Sequence, residues 1–447
     1  MMNVLDMTLL RQALIFALQA VETSSTPSPT TQTPVLAPAP VPAPAAAPVV
    51  TPSVAPLVVA PAQTAATPVA PTAPAAEPAK AATDHWYDHI TLRGYTQLRY
   101  DRLYVSNSSM RYEFGDKAMS PPAAFTFRRI RLAMLAKPTD RVTIYLQPDF
   151  AGALAGETQH VLAVRDAWAD LAIGTDKEFH LRTGQLKAPY GWENIQSSQN
   201  RLTLDRSESI NSAVPGEREI GAFVFYTPKE IHERFDTIMK SGLRGSSDWG
   251  LVSFGAANGQ GINLRERNSS KNVYARVSLP FQIGKQWAEA GVAGYYGSVG
   301  VVHTDKVAVE DNDNNFKDAR GLVSLNLYPQ PVGVQLEANY GIGPELDGTM
   351  IKQKDVYGGY AMLSYRIEEL PGGLGQLIPY ARGSYFKGGH KLESNVGAYE
   401  TKEIDAGIEY TPVKFAEFTL AYLGAWRTLN NKEEHGDWLR FQAQFSY

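Results

Sequence analysis

The amino-acid sequence predicts a transmembrane antiparallel β-barrel of sixteen strands that follows a disordered segment rich in proline and alanine. Three observations support this fold class. Apolar and polar side chains alternate in stretches of about ten residues, long connections alternate with short ones, and the last strand ends on an aromatic residue. A barrel of eighteen strands is the alternative.

The composition of the chain narrows its class. It has 447 residues, a formal net charge of -4 and no cysteine. Its charge therefore offers no basis for binding nucleic acid. The absence of cysteine fits an oxidising compartment. No apolar run reaches the roughly 18 residues of a transmembrane helix, so strands are the only candidates for crossing a membrane.

Residues 1–21 are interpreted as a signal peptide. The stretch "LLRQALIFALQA" places Arg11 before a short apolar run, as secretory signals do. The alternative is an N-terminus that is disordered or briefly helical.

Residues 22–84 form a linker dominated by proline, alanine, valine and threonine, as in "APAPVPAPAAAPVV". Such a composition cannot build a packed core and favours an extended polyproline chain. We expect an inert spacer in the periplasm, and the alternative is that residues 22–83 bind peptidoglycan. The barrel domain then occupies residues 85–447.

From residue 85 onwards the alternation typical of barrel strands begins, and no segment shows a sustained helical period. In "RVTIYLQPDF" one face carries Val142, Ile144, Leu146 and Phe150, and polar residues occupy most of the other positions. The connections add a second signal, because short turns on one side and long loops on the other are typical of membrane barrels. The long ones are 104–122, 151–160, 188–217, 258–270, 299–315, 343–354, 388–398 and 430–436.

The strand count depends on residues 228–247. If part of this segment spanned the membrane, the long and short connections after it would change sides. We therefore interpret it as an elongated inner turn, which leaves sixteen strands between Ile90 and Tyr447.

The final strand, "WLRFQAQFSY", must pair with the first because a membrane barrel has no free edge. Its apolar face, with Phe441, Phe445 and Tyr447, would then meet the lipids of a bacterial outer membrane. The terminal aromatic residue also resembles the signal through which Gram-negative bacteria deliver such proteins to the barrel assembly machinery.

Four stretches together resemble the phosphate-selective porin O/P family. They are "LRGYTQLRYD" (92–101), "FTFRRIRLAMLAKP" (125–138), "RTGQLKAPYGWENIQSS" (182–198) and "LDRSESINSAVPGEREIGAFVFY" (204–226). The resemblance implies a homotrimer of sixteen-stranded barrels, in which the third long loop, residues 188–217, folds inward and narrows the pore.

The polar face of each strand supplies the predicted pore lining. We expect basic side chains to line the pore and bind anions at Arg93, Arg99, Arg129, Arg131, Arg182, Lys187, Arg201, Arg206, Arg276, Arg320 and Arg382. Acidic side chains are expected in the lumen at Asp166, Asp170 and Glu193. In the alternative, Asp166 or Asp170 pairs with Arg129 or Arg131 and cancels its charge.

These residues predict an outer-membrane porin for passive diffusion of small anions, with phosphate and polyphosphate as candidates. Guanidinium groups in a narrow, water-filled part of a pore favour the passage of anions over cations. Arginine can also donate hydrogen bonds to two phosphate oxygens at once. One alternative is a general or carbohydrate-passing porin that uses the rings of Tyr95, Trp168, Tyr190 and Trp192. Another is a structural envelope anchor. No catalytic, metal or cofactor motif is found, so we predict that the chain is not an enzyme and has no cofactor.

Overall fold

The computed structural model describes residues 85–106, 123–153, 159–310 and 315–447. The proposed signal peptide and linker lie outside the described residues. Within these ranges a ring of antiparallel strands forms one closed sheet. The strands are β1 (Ile90–Ser106), β2 (Ala123–Ala136), β3 (Val142–Ala153), β4 (Gln159–Ile173), β5 (Phe179–Lys187), β6 (Arg218–Tyr226), β7 (Val252–Ala257), β8 (Asn272–Ile283), β9 (Gln286–Gly300), β10 (Asn315–Leu327), β11 (Val332–Asp347), β12 (Met350–Tyr365), β13 (Gln376–Gly389), β14 (Ala398–Val413), β15 (Ala416–Leu429) and β16 (Lys432–Ser446).

Pairing between the last and first strands closes the ring. Tyr100 of β1 lies opposite Phe441 of β16, and the backbones of Gly94 and Tyr447 exchange hydrogen bonds of 2.6 and 2.9 Å. The predicted barrel of sixteen strands is thereby confirmed, and the eighteen-stranded alternative is not needed.

Three α-helices and two smaller elements lie outside the ring of strands in the described ranges. The helices are α1 (Trp192–Ile195), α2 (Glu208–Asn211) and α3 (Lys229–Lys240), and a 3-10 helix (Trp86–His89) precedes β1. A two-residue strand (Ala308–Val309) pairs in parallel with the start of β12. None of the described helices has the length and hydropathy that a membrane crossing requires.

The strands present an apolar face outward and a polar face inward. On β3, Ile144, Leu146 and Phe150 are exposed, as the alternation predicted. On β16, Phe441 and Phe445 are likewise exposed, whereas the intervening polar side chains are buried inside the barrel. The apolar residues therefore do not form a dry core between two sheets, and the predicted arrangement of faces is confirmed.

The prediction of long loops at residues 343–354 and 430–436 is wrong. β11 and β12 are joined by Gly348 and Thr349 alone, and β15 and β16 by Asn430 and Asn431. Gly348, Asn430 and Asn431 have φ angles of +64°, +48° and +68°, which lie in the left-handed region that glycine and asparagine tolerate. Two-residue turns of this kind let the strands continue to the tip of the hairpin.

The segment 228–247 connects β6 and β7, and it contains helix α3. The expectation that no helical period occurs is therefore wrong here. Ile231, Phe235 and Ile238 follow a spacing of four and three residues and are buried on one face of the helix. This stripe of three residues is too short to stand out in a sequence dominated by alternation.

Candidate functional site

Loop 188–217 lies inside the barrel and packs against its inner wall. The apolar side chains of Ile210 and Val214 are completely buried in one cluster with Phe223 of β6 and Tyr295 of β9. Burial of this kind contributes roughly 1.5–3 kcal/mol for each large apolar side chain. Hydrophobic packing, as well as hydrogen bonding, therefore holds the loop in the lumen.

Hydrogen bonds attach the loop to opposite sides of the ring. Trp192 Nε1 donates to Glu289 Oε2 of β9 at 3.1 Å. Ser198 Oγ lies 2.6 Å from the Tyr95 hydroxyl of β1. Since β1 and β9 are eight strands apart in either direction, the loop crosses the lumen.

A β-bulge in β2 turns two consecutive arginines toward the loop. Gln97 of β1 lies opposite Arg129, whereas the next residue, Leu98, lies opposite Phe127. Arg128 is the extra residue, and the shift reverses which alternate positions face inward. Arg128 Nε consequently reaches to 3.7 Å from Asp205 Oδ1 in the loop. Strict alternation had assigned only Arg129 and Arg131 to the lumen.

The bulge belongs to a group of charged side chains between the loop and strands β1 to β6 and β16, which we call the basic cluster. It contains nine basic and five acidic side chains, nearly all of them buried. The basic members are Arg99, Arg128, Arg129, Arg131, Lys187, Arg201, Arg206, Arg218 and Arg440, and the acidic members are Asp101, Asp149, Asp166, Asp205 and Glu217.

Two loop carboxylates organise the basic cluster. Asp205 accepts hydrogen bonds from Arg99 Nη1 at 3.1 Å and from Arg440 Nη2 at 2.7 Å. Glu217 pairs with Arg201 and Arg218, and Lys187 Nζ and Arg206 Nε lie 3.7 and 3.6 Å from it. Each carboxylate thus faces several cations, and among the described residues the cluster holds more basic than acidic side chains.

Asp205 remains ionised in spite of its burial. Burial raises the pKa of its carboxyl, but the guanidinium groups of Arg99 and Arg440 outweigh this effect and hold the pKa well below its usual value.

Arg129 differs from the other members of the basic cluster. Its side chain is 2% exposed, and its Nη1 donates to the neutral amide of Gln97 at 2.7 Å. Its Nε has no hydrogen-bond partner, and within the described ranges no carboxylate forms an ion pair with it. The guanidinium groups of Arg128, Arg131 and Arg99 repel it, and the carboxylate of Asp205 interacts with it without forming an ion pair. Arg129 is therefore a buried cation that has no direct ion pair among the described residues.

The remaining predicted basic residues lie elsewhere on the wall. Four of them pair with carboxylates, at 2.9 Å for Arg182 with Asp170, 3.0 Å for Arg276 with Glu289, 3.7 Å for Arg320 with Asp318 and 2.8 Å for Arg382 with Glu193. Arg93 is exposed at the inner rim and lines a cavity of about 340 Å³. Asp166 pairs with Arg218 at 2.9 Å, so neither predicted aspartate balances Arg129 or Arg131.

The aromatic residues considered for sugar stacking have covered rings. Tyr95 of β1 is buried beneath the loop, and Tyr190 and Trp192, which belong to the loop, are themselves buried. Trp168 stacks on Tyr145, and the guanidinium of Arg182 lies 4.3 Å from its ring.

The family model of phosphate-selective porin O and P matches residues 105–447. The chain belongs to this family. It is therefore a porin of the bacterial outer membrane, and a channel rather than an enzyme is the activity that its family and fold indicate.

Solved structures of other outer-membrane channels resemble the porin in fold. The channel DcaP of Acinetobacter baumannii is 14% identical over 80% of this chain and 97% of its own, with a TM-score of 0.49. OmpT of Vibrio cholerae is 11% identical over 80% and 99%, with a TM-score of 0.47. An anion-selective porin from Comamonas acidovorans is 12% identical over 80% and 99%, with a TM-score of 0.45. No curated protein matches the chain.

Seven members of the basic cluster were not among the site residues predicted from the sequence of this porin, namely Arg128, Arg218, Arg440, Asp101, Asp149, Asp205 and Glu217. Arg440 stands on the polar face of the last strand, so the alternation was sufficient to place it in the lumen. Arg218 and Glu217 follow Pro215 and Gly216, where the chain leaves the loop and no strand period applies. Arg128 required knowledge of the bulge, which no local pattern in β2 indicates.

Proposed function

We propose that this porin prefers small anions and that the basic cluster is its selectivity site. The observation that carries the proposal is the buried guanidinium of Arg129, which donates to the neutral amide of Gln97 and forms no ion pair among the described residues. A buried charge without a partner is costly, so an anion that enters the cluster relieves that cost, whereas a cation increases it.

The other basic groups make this a region of several moderate sites. Arg128 and Arg131 flank Arg129 on the same strand, and Arg99 faces them from β1. Their carboxylate partners weaken each site, which suits a channel because a passing ion must also leave. Guanidinium groups hold two oxygens at once, so we expect phosphate to bind more tightly than chloride.

Competition between phosphate and chloride tests the proposal. Single-channel chloride current through the porin in planar bilayers should fall as phosphate is added. Arg129→Gln removes one charged donor, so the phosphate concentration for half-block should rise roughly tenfold. Lys402→Gln, at an exposed position on the outer face of β14, is the control, and phosphate should block its current as it blocks the wild type. Equal block of Arg129→Gln and wild type, or no block of either, would contradict the proposal.

We also propose that the porin assembles as a homotrimer. Polar side chains that face outward support this, because they are costly in lipid and a neighbouring subunit would shield them. Asp437 of β16 and Arg102 of β1 are such residues, and Tyr422 donates a hydrogen bond to Asp437. Chemical crosslinking in outer membranes should give a trimer, and a monomer alone would contradict the assembly.

The N-terminal region and the C-terminus complete the proposal. Residues 1–21 are removed as a signal peptide, and residues 22–84 lie in the periplasm because β1 begins at the rim with the short turns. Contact of this linker with peptidoglycan is a further proposal. Recognition of the aromatic Tyr447 by the barrel assembly machinery, before the barrel enters the outer-membrane lipids, is likewise a proposal.

A further inference from the structure

The inner segment, residues 228–247, enters the mouth of the barrel on the side of the short turns. Helix α3 places Ile231 and Phe235 in a buried cluster with Leu251 and Leu279, at the inner ends of β7 and β8. Arg234 Nη1 donates to the Pro280 carbonyl at 3.0 Å. The helix is therefore fixed on the wall and does not hang free below the barrel.

After the helix, the inner segment meets loop 188–217. Ile238 and Leu243 are 1% and 2% exposed and share a buried cluster with Trp192 of the loop and Tyr328 of the wall. The amide of Gln196, also in the loop, donates to the Arg244 carbonyl at 2.8 Å. The segment thus supports the constriction loop from the inner side.

Arg244 then links this assembly to the far wall. Its Nη1 donates to Glu409 Oε2 of β14 at 2.7 Å, and its Nη2 donates to Glu417 Oε2 of β15 at 3.0 Å. In a ring of sixteen strands, β14 and β15 lie eight strands from β6 and β7, which the inner segment connects. The segment and this one side chain therefore reach across the whole inner mouth.

The backbone at Arg244 is held in an uncommon conformation. Its φ angle of +59° lies in the left-handed region, which a residue with a Cβ adopts only where the surroundings require it. Here the surroundings are the two glutamates, which bind its side chain, and the amide of Gln196, which donates to its carbonyl. The position of Arg244 is thus fixed from three directions.

Beside Arg244 a cavity of about 340 Å³ opens at the inner mouth. The side chains of Arg93, Lys414 and Glu417 line it, and Gln199 at the tip of loop 188–217 borders it. Three basic groups, Arg93, Arg244 and Lys414, thus surround an opening that contains one of the two glutamates.

We infer that the inner segment is a second constriction, in series with loop 188–217, and that Arg244 sets its width through Glu409 and Glu417. A solute that has passed the basic cluster leaves through the cavity beside Arg244, and this side chain limits its size. The inference goes beyond anion preference, because it concerns how large a solute can pass and how fast.

Single-channel conductance and exclusion of neutral polymers test the inference. Arg244→Ala should raise the conductance, by up to roughly twofold if the two constrictions resist equally. It should also admit larger polymers than the wild type does. Lys240→Ala is the matched control, because it removes one positive charge from an exposed position of the same segment, and it should leave both quantities unchanged.

A triple variant separates width from charge. Arg244→Ala leaves two buried glutamates without their partner, which alone alters ion flow. In Arg244→Ala with Glu409→Gln and Glu417→Gln all three charges of this ion-pair network are removed, and the larger polymer limit should persist. Heat-modifiable migration on gels verifies that each variant is a folded barrel.

A cysteine pair gives an independent measurement, since the natural chain contains no cysteine. A bifunctional maleimide should join Arg244→Cys to Glu417→Cys in the folded porin, and the crosslink should restore the polymer limit of the wild type. Wild-type conductance and polymer limit in both the single and the triple variant would overturn the inference. Ion preference, measured as zero-current potential, reports separately on the basic cluster, so the two proposals fail independently.

Discussion

Arg440 Nη2 lies 2.7 Å from Asp205 Oδ2, so the last strand of the barrel holds the loop that fills its lumen. The same guanidinium donates through Nε to Asp101 Oδ1 on the first strand, also at 2.7 Å. One buried arginine therefore joins the closing strand pair to loop 188–217. Closure of the barrel and the position of the loop are parts of one ion-pair network.

Removal of this arginine should weaken both features. Arg440→Met leaves two buried carboxylates with fewer partners, and we expect the free energy of unfolding to fall by about 3–5 kcal/mol. Denaturant unfolding of the porin in detergent measures this change. The single-channel current should also become noisier because the loop has lost an anchor.

Lys402→Met is the control for Arg440→Met. Lys402 is exposed on the outer face, so its loss should change the unfolding free energy by less than about 1 kcal/mol. If Arg440→Met unfolds at the same denaturant concentration as the wild type, the ion-pair network does not hold the loop.

A charged side chain introduced on the outward face of β10 should destabilise the folded porin. Val323 is 57% exposed near the middle of that strand, where lipid surrounds the barrel. Val323→Arg should lower the free energy of unfolding in bilayers by roughly 2–4 kcal/mol. Lys317→Arg, an exposed position on the same face near the outer end, keeps its charge and should have no effect. Equal stability of Val323→Arg and wild type would mean that this face does not meet lipid.

The ion pairs of Glu217 should persist as the pH is lowered, down to values well below 4.5. Burial raises the pKa of the Glu217 carboxyl, but Lys187, Arg201 and Arg218 outweigh it and hold the pKa well below the usual 4.5. Ionised Glu217 therefore stabilises the folded porin above pH 4.5, and this contribution disappears only as the pH falls through the depressed value.

The matching measurement compares Glu217→Gln with wild type across pH. The variant should unfold more easily at pH 7, and the difference should shrink only well below pH 4.5. Glu233→Gln, exposed on α3, should match the wild type throughout. A difference that is constant at every pH would contradict the ionic role of Glu217.

The sequence was sufficient for the barrel because the side-chain period of a strand is local. The alternation in β3 and β16 depends only on each residue and its neighbours, and closure of the sheet follows from the lipid environment. The turns were less predictable. Gly348 and Asn430 permit tight hairpins, but whether a hairpin or a loop forms depends on how far the strands continue to pair.

The site was only partly predictable for a similar reason. Parity identified Arg129 and Arg131 as inward, but the bulge at Arg128 depends on pairing with a distant strand. The partners of each charge were beyond sequence analysis, since Asp205 meets Arg440 across 235 residues. The role of the inner segment likewise appears only when Arg244 is placed beside β14 and β15.

The zero-current potential of the wild-type porin tests the account most directly. With concentrated KCl on one side of a planar bilayer, the sign of this potential shows which ion crosses faster. We predict that chloride does, and that Arg129→Gln shifts the potential toward zero whereas Lys402→Gln, on the outer face, leaves it unchanged. A potential that indicates potassium preference, or one that Arg129→Gln does not move, would contradict the assignment of the basic cluster as the selectivity site.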